Sequence, residues 1–204
     1  MNFLGHACAA TWHDRDPRFV LGAMLPDLAT MAGVRRPVTQ DAMIAAGVAF
    51  HHRTDAAFHA SPTFERLTHA GSRALQDAGI ARGPALAASH IAIELFLDAS
   101  LAVDAPLVAD YAAALRSELV LGDDAHTIAL AKLRSRLHDA GAPHWYADLD
   151  EMVPRLERIL SRHPRLALTP ADRAPLRAWV VEVQPQVAVG SDRMLDELRA
   201  RLTR

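Results

Sequence analysis

Two segments of the chain carry histidine and carboxylate residues spaced four apart: His51, Asp55 and His59 in one, and His90, Glu94 and Asp98 in the other. Residues four apart lie on the same face of an α-helix, about 6 Å apart along its axis. Imidazole and carboxylate groups together are typical ligands of Zn²⁺, Mn²⁺ and Fe²⁺. The spacing therefore predicts two helices that hold one or two divalent metal ions between them.

The surroundings of Glu94 support this interpretation. The segment ALAASHIAIELFLDASLA is apolar on almost every helical face, so a buried central helix is predicted. A buried carboxylate is costly unless it is paired, protonated or bound to a metal. The alternative is a structural pair between Glu94 and His90 or Arg53. Two helices with the same arrangement favour the metal over the pair.

His6 and Asp27 are further candidates, because each is a polar residue in an apolar stretch. His6 lies in FLGHACAA and Asp27 follows Pro26 in LGAMLPDLAT. Each also has a structural alternative: His6 as a hydrogen-bonded core histidine, and Asp27 as the N-cap of a helix that restarts after a break at Pro26.

The elements that must position these residues are predicted to be helical throughout. Hydrophobic residues make up 50% of the chain and aromatic residues only 5%, so Ala, Leu and Val supply most of the core. That composition favours helices. Pro, Gly and Asp divide the chain into about eight helices, including 170–189 and 191–204 at the C-terminal end. We predict one compact all-α domain over residues 1–204, in which even the β-branched stretch AWVVEVQPQVAV is helical.

Composition also excludes several functions. A net charge of -2 argues against a nucleic-acid binder. The single Cys8 excludes an internal disulfide, and neither a membrane-spanning apolar run nor a signal peptide is evident, so a cytoplasmic location is expected. The phosphate-binding Gly-rich loop, the Gly-x-Ser-x-Gly nucleophile motif and the His-Glu-x-x-His zinc motif are missing from the sequence. Water activated by a metal remains the chemistry that the residues support.

Four segments resemble a known family in their order and spacing: MNFLGH, LGAMLPDL, GVAFHHRTD and YADLDEMVPRLERILSRHPRLAL. They are similar to the acyl carrier protein phosphodiesterases, all-helical bacterial proteins related to the HD phosphohydrolases. Members of that family remove 4′-phosphopantetheine from acyl carrier protein with a divalent cation, typically Mn²⁺. The resemblance implies metal or catalytic roles for His6, Asp27, His51 and Asp55, and acyl carrier protein as a partner.

The chain departs from the family pattern at one motif. Where the family has Asp-x-x-x-Asp-His, this chain has His90, Glu94 and Leu95, and His59 stands where the family has an Asp. The substitutions make the predicted site richer in nitrogen, which favours Zn²⁺ or Fe²⁺ over Mn²⁺.

The function expected from these patterns is metal-assisted phosphoester hydrolysis. Asp27 is expected to orient or deprotonate the attacking water, and His52 or Arg53 to contact the phosphate. The substrate is expected to be acyl carrier protein or another small phosphodiester or phosphomonoester. A non-catalytic relative that binds a ligand or partner is the remaining alternative, which the loss of the family's Asp-His favours. The predicted metal ligands are His6, Asp27, His51, Asp55, His59, His90 and Glu94.

Overall fold

The computed structural model describes residues 1–203, and over that range the chain is helical, with no β-strand. The all-α prediction is confirmed. Two short 3₁₀ segments, Pro143–Ala147 and Pro170–Asp172, connect longer elements. The α-helices are α1 (Phe3–Thr11), α2 (Pro17–Ala32), α3 (Ala42–His59), α4 (Pro62–Asp77), α5 (Arg82–Leu101), α6 (Ala105–Arg116), α7 (Asp124–Ala140), α8 (Leu149–Leu160) and α9 (Arg173–Leu202).

Three helices begin directly after a side chain of a type that favours the N-cap position. Ser61, Asp104 and Asp123 each accept a hydrogen bond from a backbone N–H in the first turn of α4, α6 and α7. The sequence suggests Thr39 as the cap of the third helix, but α3 begins at Ala42 and its cap is Asp41. The Asp41 carboxylate accepts hydrogen bonds from the backbone N–H groups of residues 43 and 44.

The predicted break between residues 189 and 191 is wrong, and of the bend or break expected at Pro26 the break is wrong. α2 continues through Pro26, and α9 is a single helix of 30 residues that includes Pro185 and Gly190. A proline inside a helix costs about 3 kcal/mol and a glycine about 1 kcal/mol relative to alanine. Burial on both sides of each interruption outweighs that cost, as shown by Val187 and Met194 around Gly190. Continuity of α2 also means that Asp27 is not an N-cap.

Contacts group the chain into two compact units, and the prediction of one domain over 1–204 stays a prediction. The first unit comprises Met1–Ala57 and Leu101–Pro143. Within it α1 is almost wholly buried, from Phe3 to Ala10, and packs on α2 and α6. α7 packs on α6 and α2. A helix buried on all faces can carry polar residues only where partners or ligands meet them.

A close helix contact aligns α2 with α3 inside the first unit. Gly22 and Gly47 face each other so closely that a Cβ at Gly22 would overlap the carbonyl oxygen of Ile44, and one at Gly47 would overlap that of Phe19. Only glycine permits backbones to approach this far. The contact lies next to Ala23 and one turn before His51, so it sets how closely the functional ends of both helices approach.

The second unit comprises Phe58–Ser100 and the chain from His144 onward. Here α4 and α8 both pack on the long α9. Gly71 gives room for the indole of Trp179, since a Cβ there would lie 2.6 Å from the ring. Glu197 of α9 accepts hydrogen bonds from the Ser61 hydroxyl and from the N–H and hydroxyl of Thr63, and so fixes the start of α4.

Among residues 1–203, α5 has the length and apolar composition that could cross a membrane, with a mean hydropathy of 1.3 in its most apolar window. That window is 61% buried within the folded chain. The expected cytoplasmic location stays a prediction.

Candidate metal centres

The first cluster consists of His6 on α1, Asp27 on α2, and His51 and Asp55 on α3, all within the first unit. His6 Nε2 lies 3.4 Å from Asp27 Oδ2 and 3.7 Å from Asp55 Oδ1. His51 Nε2 lies 4.0 Å from Asp27 Oδ1. Three helices therefore direct two nitrogens and two carboxylates at one another.

The imidazole of His51 is held in one orientation and one tautomer. Its Nδ1–H donates a hydrogen bond of 2.8 Å to the carbonyl oxygen of Ala23. Burial lowers the pKa of His51, while the Ala23 hydrogen bond and the charge of Asp55 act in the opposite direction. Because Nδ1 is held by Ala23, Nε2 is the ring nitrogen that faces Asp27. A backbone carbonyl that fixes the other ring nitrogen is the usual support of a metal-binding histidine.

The cluster has a buried nitrogen side and a more exposed oxygen side. His6 is fully buried and stacks on His51, with ring centroids 4.1 Å apart and an interplanar angle of 28°. The side chains of Asp27 and Asp55 are 35% and 33% exposed. The amino group of Met1 lies 3.1 Å from Asp55 Oδ1. The carboxylates are therefore the solvent-facing side of the cluster.

The separations in the first cluster match the spacing of donors around a metal ion. A tetrahedral ion with donors at about 2.0–2.2 Å holds neighbouring donors about 3.3–3.6 Å apart. The His6 distances of 3.4 and 3.7 Å lie at or near that range. They exceed the usual 2.7–3.2 Å of N–H···O hydrogen bonds. Small side-chain adjustments would bring His51 into the same range.

The second cluster consists of His59 on α3 and His90 and Glu94 on α5, all within the second unit. His59 Nε2 lies 3.0 Å from Glu94 Oε1, and His90 Nε2 lies 3.1 Å from the same oxygen. His59 Nε2–H donates a hydrogen bond to this carboxylate oxygen, and His90 forms an ion-pair contact with the same oxygen. Burial raises the pKa of Glu94, the contacts with the two histidines act in the opposite direction, and the net pKa lies well below the usual 4.5.

An aromatic side chain orients the two histidines of the second cluster. Phe64 packs against His59 at 5.3 Å and edge-on against His90 at 5.0 Å, measured between ring centroids. The side chains of His59 and His90 are 34% and 36% exposed, whereas Glu94 is 14% exposed. The carboxylate is therefore held inside, with the imidazoles at the surface.

Six of the seven predicted metal ligands fall in two groups of mutually close donors, and the seventh, Asp55, lies 3.7 Å from His6 and pairs with the Met1 amino group. Among residues 1–203, groups of three or more mutually close donors occur only here: His6, Asp27 and His51, and His59, His90 and Glu94. His52 and Arg53, predicted to contact phosphate, are exposed, and the Arg53 guanidinium lies over the Phe50 ring. Asp98, the third member of the α5 stripe, is fully buried outside both groups.

The sequence analysis did not anticipate two supporting residues. Ala23 acts through its backbone carbonyl, which no side-chain pattern reveals. Phe64 is an aromatic residue two positions after Pro62 in α4 and has no spacing relation to the histidines it orients. The predicted contact between Glu94 and His90 is present, as the structural alternative required.

Comparison with known proteins adds no relative: no family model, no curated protein and no solved structure matches the chain.

Proposed function

We propose that the protein is a metal-dependent phosphoester hydrolase whose active centre is the first cluster. One observation carries the proposal: His6, Asp27 and His51 from three helices lie together with imidazole–carboxylate separations of 3.4 and 4.0 Å, and Asp55, which also pairs with the Met1 amino group, lies 3.7 Å from His6. Structural ion pairs close to hydrogen-bond distance when nothing holds them apart. Donors spaced more widely fit a shared cation.

The donor set suits a divalent ion of the first transition row. Two imidazoles with two carboxylates accommodate Mn²⁺, Fe²⁺ and Zn²⁺, and His6, Asp27, His51 and Asp55 would hold it. When bound, such an ion lowers the pKa of its water toward neutrality and offsets negative charge on phosphoryl oxygens.

The side chains of the first cluster have separate roles in the proposed mechanism. His51, fixed by Ala23, presents Nε2 to the centre, and burial lowers its pKa, which favours the neutral form that a metal requires. His6 is enclosed among apolar residues and excludes water from the inner side. Asp27 faces both imidazoles and the solvent, one carboxylate oxygen towards each ring. It is therefore placed to orient an attacking water and to accept its proton.

The substrate class rests on the sequence resemblance. Acyl carrier protein carrying 4′-phosphopantetheine is the substrate that the resemblance implies. A smaller phosphodiester or phosphomonoester is the second candidate, and Leu95 favours it. Leu95 occupies the position of the family's histidine, and its side chain is 5% exposed, so a polar group of the family motif is replaced by a core residue.

The test is a substrate comparison with a matched pair of variants. The protein is supplied with Mn²⁺, Zn²⁺ or Fe²⁺ and assayed on holo-acyl carrier protein, by mass loss, and on aryl phosphodiesters and monoesters. Asp27→Asn should abolish the activity, whereas Asp77→Asn, an exposed aspartate at the end of α4, should retain it. Absence of turnover on every substrate with all three metals would overturn the proposal and support a non-catalytic binding protein.

A further inference from the structure

The second cluster has a composition and geometry of its own, which the proposed hydrolase centre does not use. Two imidazole nitrogens and one carboxylate oxygen lie together, and all three come from two helices. A single histidine is enough to satisfy one carboxylate oxygen by a hydrogen bond. Here the Nε2 atoms of His59 and His90 lie 3.0 and 3.1 Å from the same Oε1 of Glu94.

We propose that His59, His90 and Glu94 form a second site for a divalent transition metal, with Zn²⁺ as the best fit. Two histidines and a glutamate with one position left for water is a known zinc ligand set. The separations of 3.0 and 3.1 Å are shorter than the roughly 3.3–3.6 Å between neighbouring donors of a tetrahedral ion, so the donors must move apart by about 0.3–0.6 Å when the ion binds. Binding therefore needs only small movements of the three side chains.

The surroundings fit such a site. Phe64 fixes the directions of both rings, so the donors are arranged in advance. Both imidazoles are about one third exposed, which leaves an approach for the ion and for a water ligand. The buried Glu94 supplies a negative charge that offsets part of the ion's charge. The carboxylate would exchange its contacts with the histidines for the metal.

Binding at the second cluster is weaker than at a site with no internal hydrogen bonds. The ion must displace the His59 hydrogen bond and the His90 ion-pair contact, and His59 must shift its proton from Nε2 to Nδ1 before its Nε2 can coordinate. This site therefore exchanges its ion readily and fills only when free metal is available.

The experiment is a Zn²⁺ titration of the metal-free full-length protein, followed with a chromophoric competitor. The parent should bind two equivalents and His90→Gln one. His69→Gln, which removes an exposed histidine of α4 in the same unit, should still bind two. Two equivalents in His90→Gln, or a parent that binds one equivalent and keeps it in His90→Gln, would overturn the site. Loss of both ions in His90→Gln would overturn a separate site as well.

A second variant and a direct observation cover the case in which His90→Gln does not fold. Glu94→Gln keeps the shape of the side chain and should lower Zn²⁺ affinity at this site at least tenfold. In the parent, the second equivalent of Zn²⁺ should shift the ¹⁵N resonances of His59 and His90. Unshifted resonances would overturn the proposal. This proposal can fail independently of the proposed hydrolase centre. The hydrolase centre concerns the equivalent of Zn²⁺ bound at the first cluster, which His6→Gln should remove, whereas this site concerns the equivalent that His90→Gln should remove.

Discussion

The two clusters use the same kinds of side chain but differ in how their atoms are spaced. In the first cluster the imidazole–carboxylate separations are 3.4–4.0 Å, and the histidines are buried behind the carboxylates. In the second cluster the separations are 3.0 and 3.1 Å, and the carboxylate is buried behind the histidines. The first arrangement fits a cation placed between the groups, whereas the second is stable as a triad of paired groups that a cation can open.

This difference shows that residue types alone do not define a metal site. Buried polar groups can be satisfied by one another or by an ion, and distances separate the two cases. The first cluster is also supported by a fixed backbone carbonyl at Ala23, and the second by an aromatic ring at Phe64. The two kinds of support have different consequences when a residue is changed.

The largest expected effect is on catalysis at the first cluster. Asp27→Asn keeps the shape of the side chain but removes its charge and its capacity to accept a proton. We expect the hydrolytic rate to fall by about 10²–10⁴-fold, the usual contribution of a positioned general base. The measurement is kcat with saturating metal, beside Asp77→Asn as control. A decrease of less than tenfold would remove Asp27 from the mechanism.

The next effect concerns metal and stability. A ligand present at 100 times its dissociation constant stabilises the folded state by about 2.7 kcal/mol. We expect Zn²⁺ or Mn²⁺ at that excess to raise the free energy of unfolding of the parent by this amount, and that of Asp55→Asn by much less. Urea titrations with and without metal measure it. Equal stabilisation of both proteins would place the tighter site away from the first cluster.

The contact between α2 and α3 gives a test of the first unit's framework. Gly47→Ala places a Cβ against the backbone at Phe19, and it should destabilise the protein by about 1–3 kcal/mol despite the better helix propensity of alanine. Gly190→Ala is the matched control, since its Cβ would meet Thr63 at an ordinary 3.6 Å, and it should stabilise by about 0.5–1 kcal/mol. Chemical denaturation of both variants gives the result. Similar effects would show that the close approach is not needed.

The smallest expected effect is on the pH dependence of the free energy of unfolding. It concerns Glu197, which fixes the start of α4, the helix that carries Phe64 of the second cluster. Hydrogen bonds from Ser61 and Thr63 lower the pKa of Glu197, although burial acts to raise it. Its unfolded pKa is about 4.3. The hydrogen bonds to ionised Glu197 stabilise the folded state by about 1 kcal/mol. This contribution is fully present above the unfolded pKa of Glu197 and is lost as the pH falls through its folded-state pKa.

Glu197→Gln is the comparison for that measurement. Its stability should be lower than the parent's at pH 7, and the gap should narrow below about pH 4. A gap that stays constant on acidification would mean that the charge of Glu197 contributes nothing to the start of α4.

Much of the fold was predictable, because its signals are local. Capping residues such as Ser61 and Asp104 fix helix starts through hydrogen bonds to the next few residues. Pro26 and Gly190 misled the prediction, because the burial that carries a helix through them comes from other parts of the chain. Local sequence gives the cost of an interruption but not the packing energy that offsets it.

The residues of the candidate clusters were recognisable from the sequence, but their grouping was not. Spacing of four residues placed His51, Asp55 and His59 in one stripe of α3. In the structure the first two belong to the first cluster and His59 to the second. The cluster to which each residue of α3 belongs depends on which other helices pack beside that turn. The four-residue spacing shows which residues share a face of α3, but not which helices pack against them.

The central claim is that the first cluster holds a divalent metal ion. The most direct test is elemental analysis of the protein after supply of Mn²⁺, Zn²⁺ and Fe²⁺ and dialysis against a weak chelator. The account predicts close to one equivalent of metal in the parent and in His90→Gln, and almost none in Asp27→Asn. Metal-free parent protein, or metal retained in full by Asp27→Asn, would contradict it.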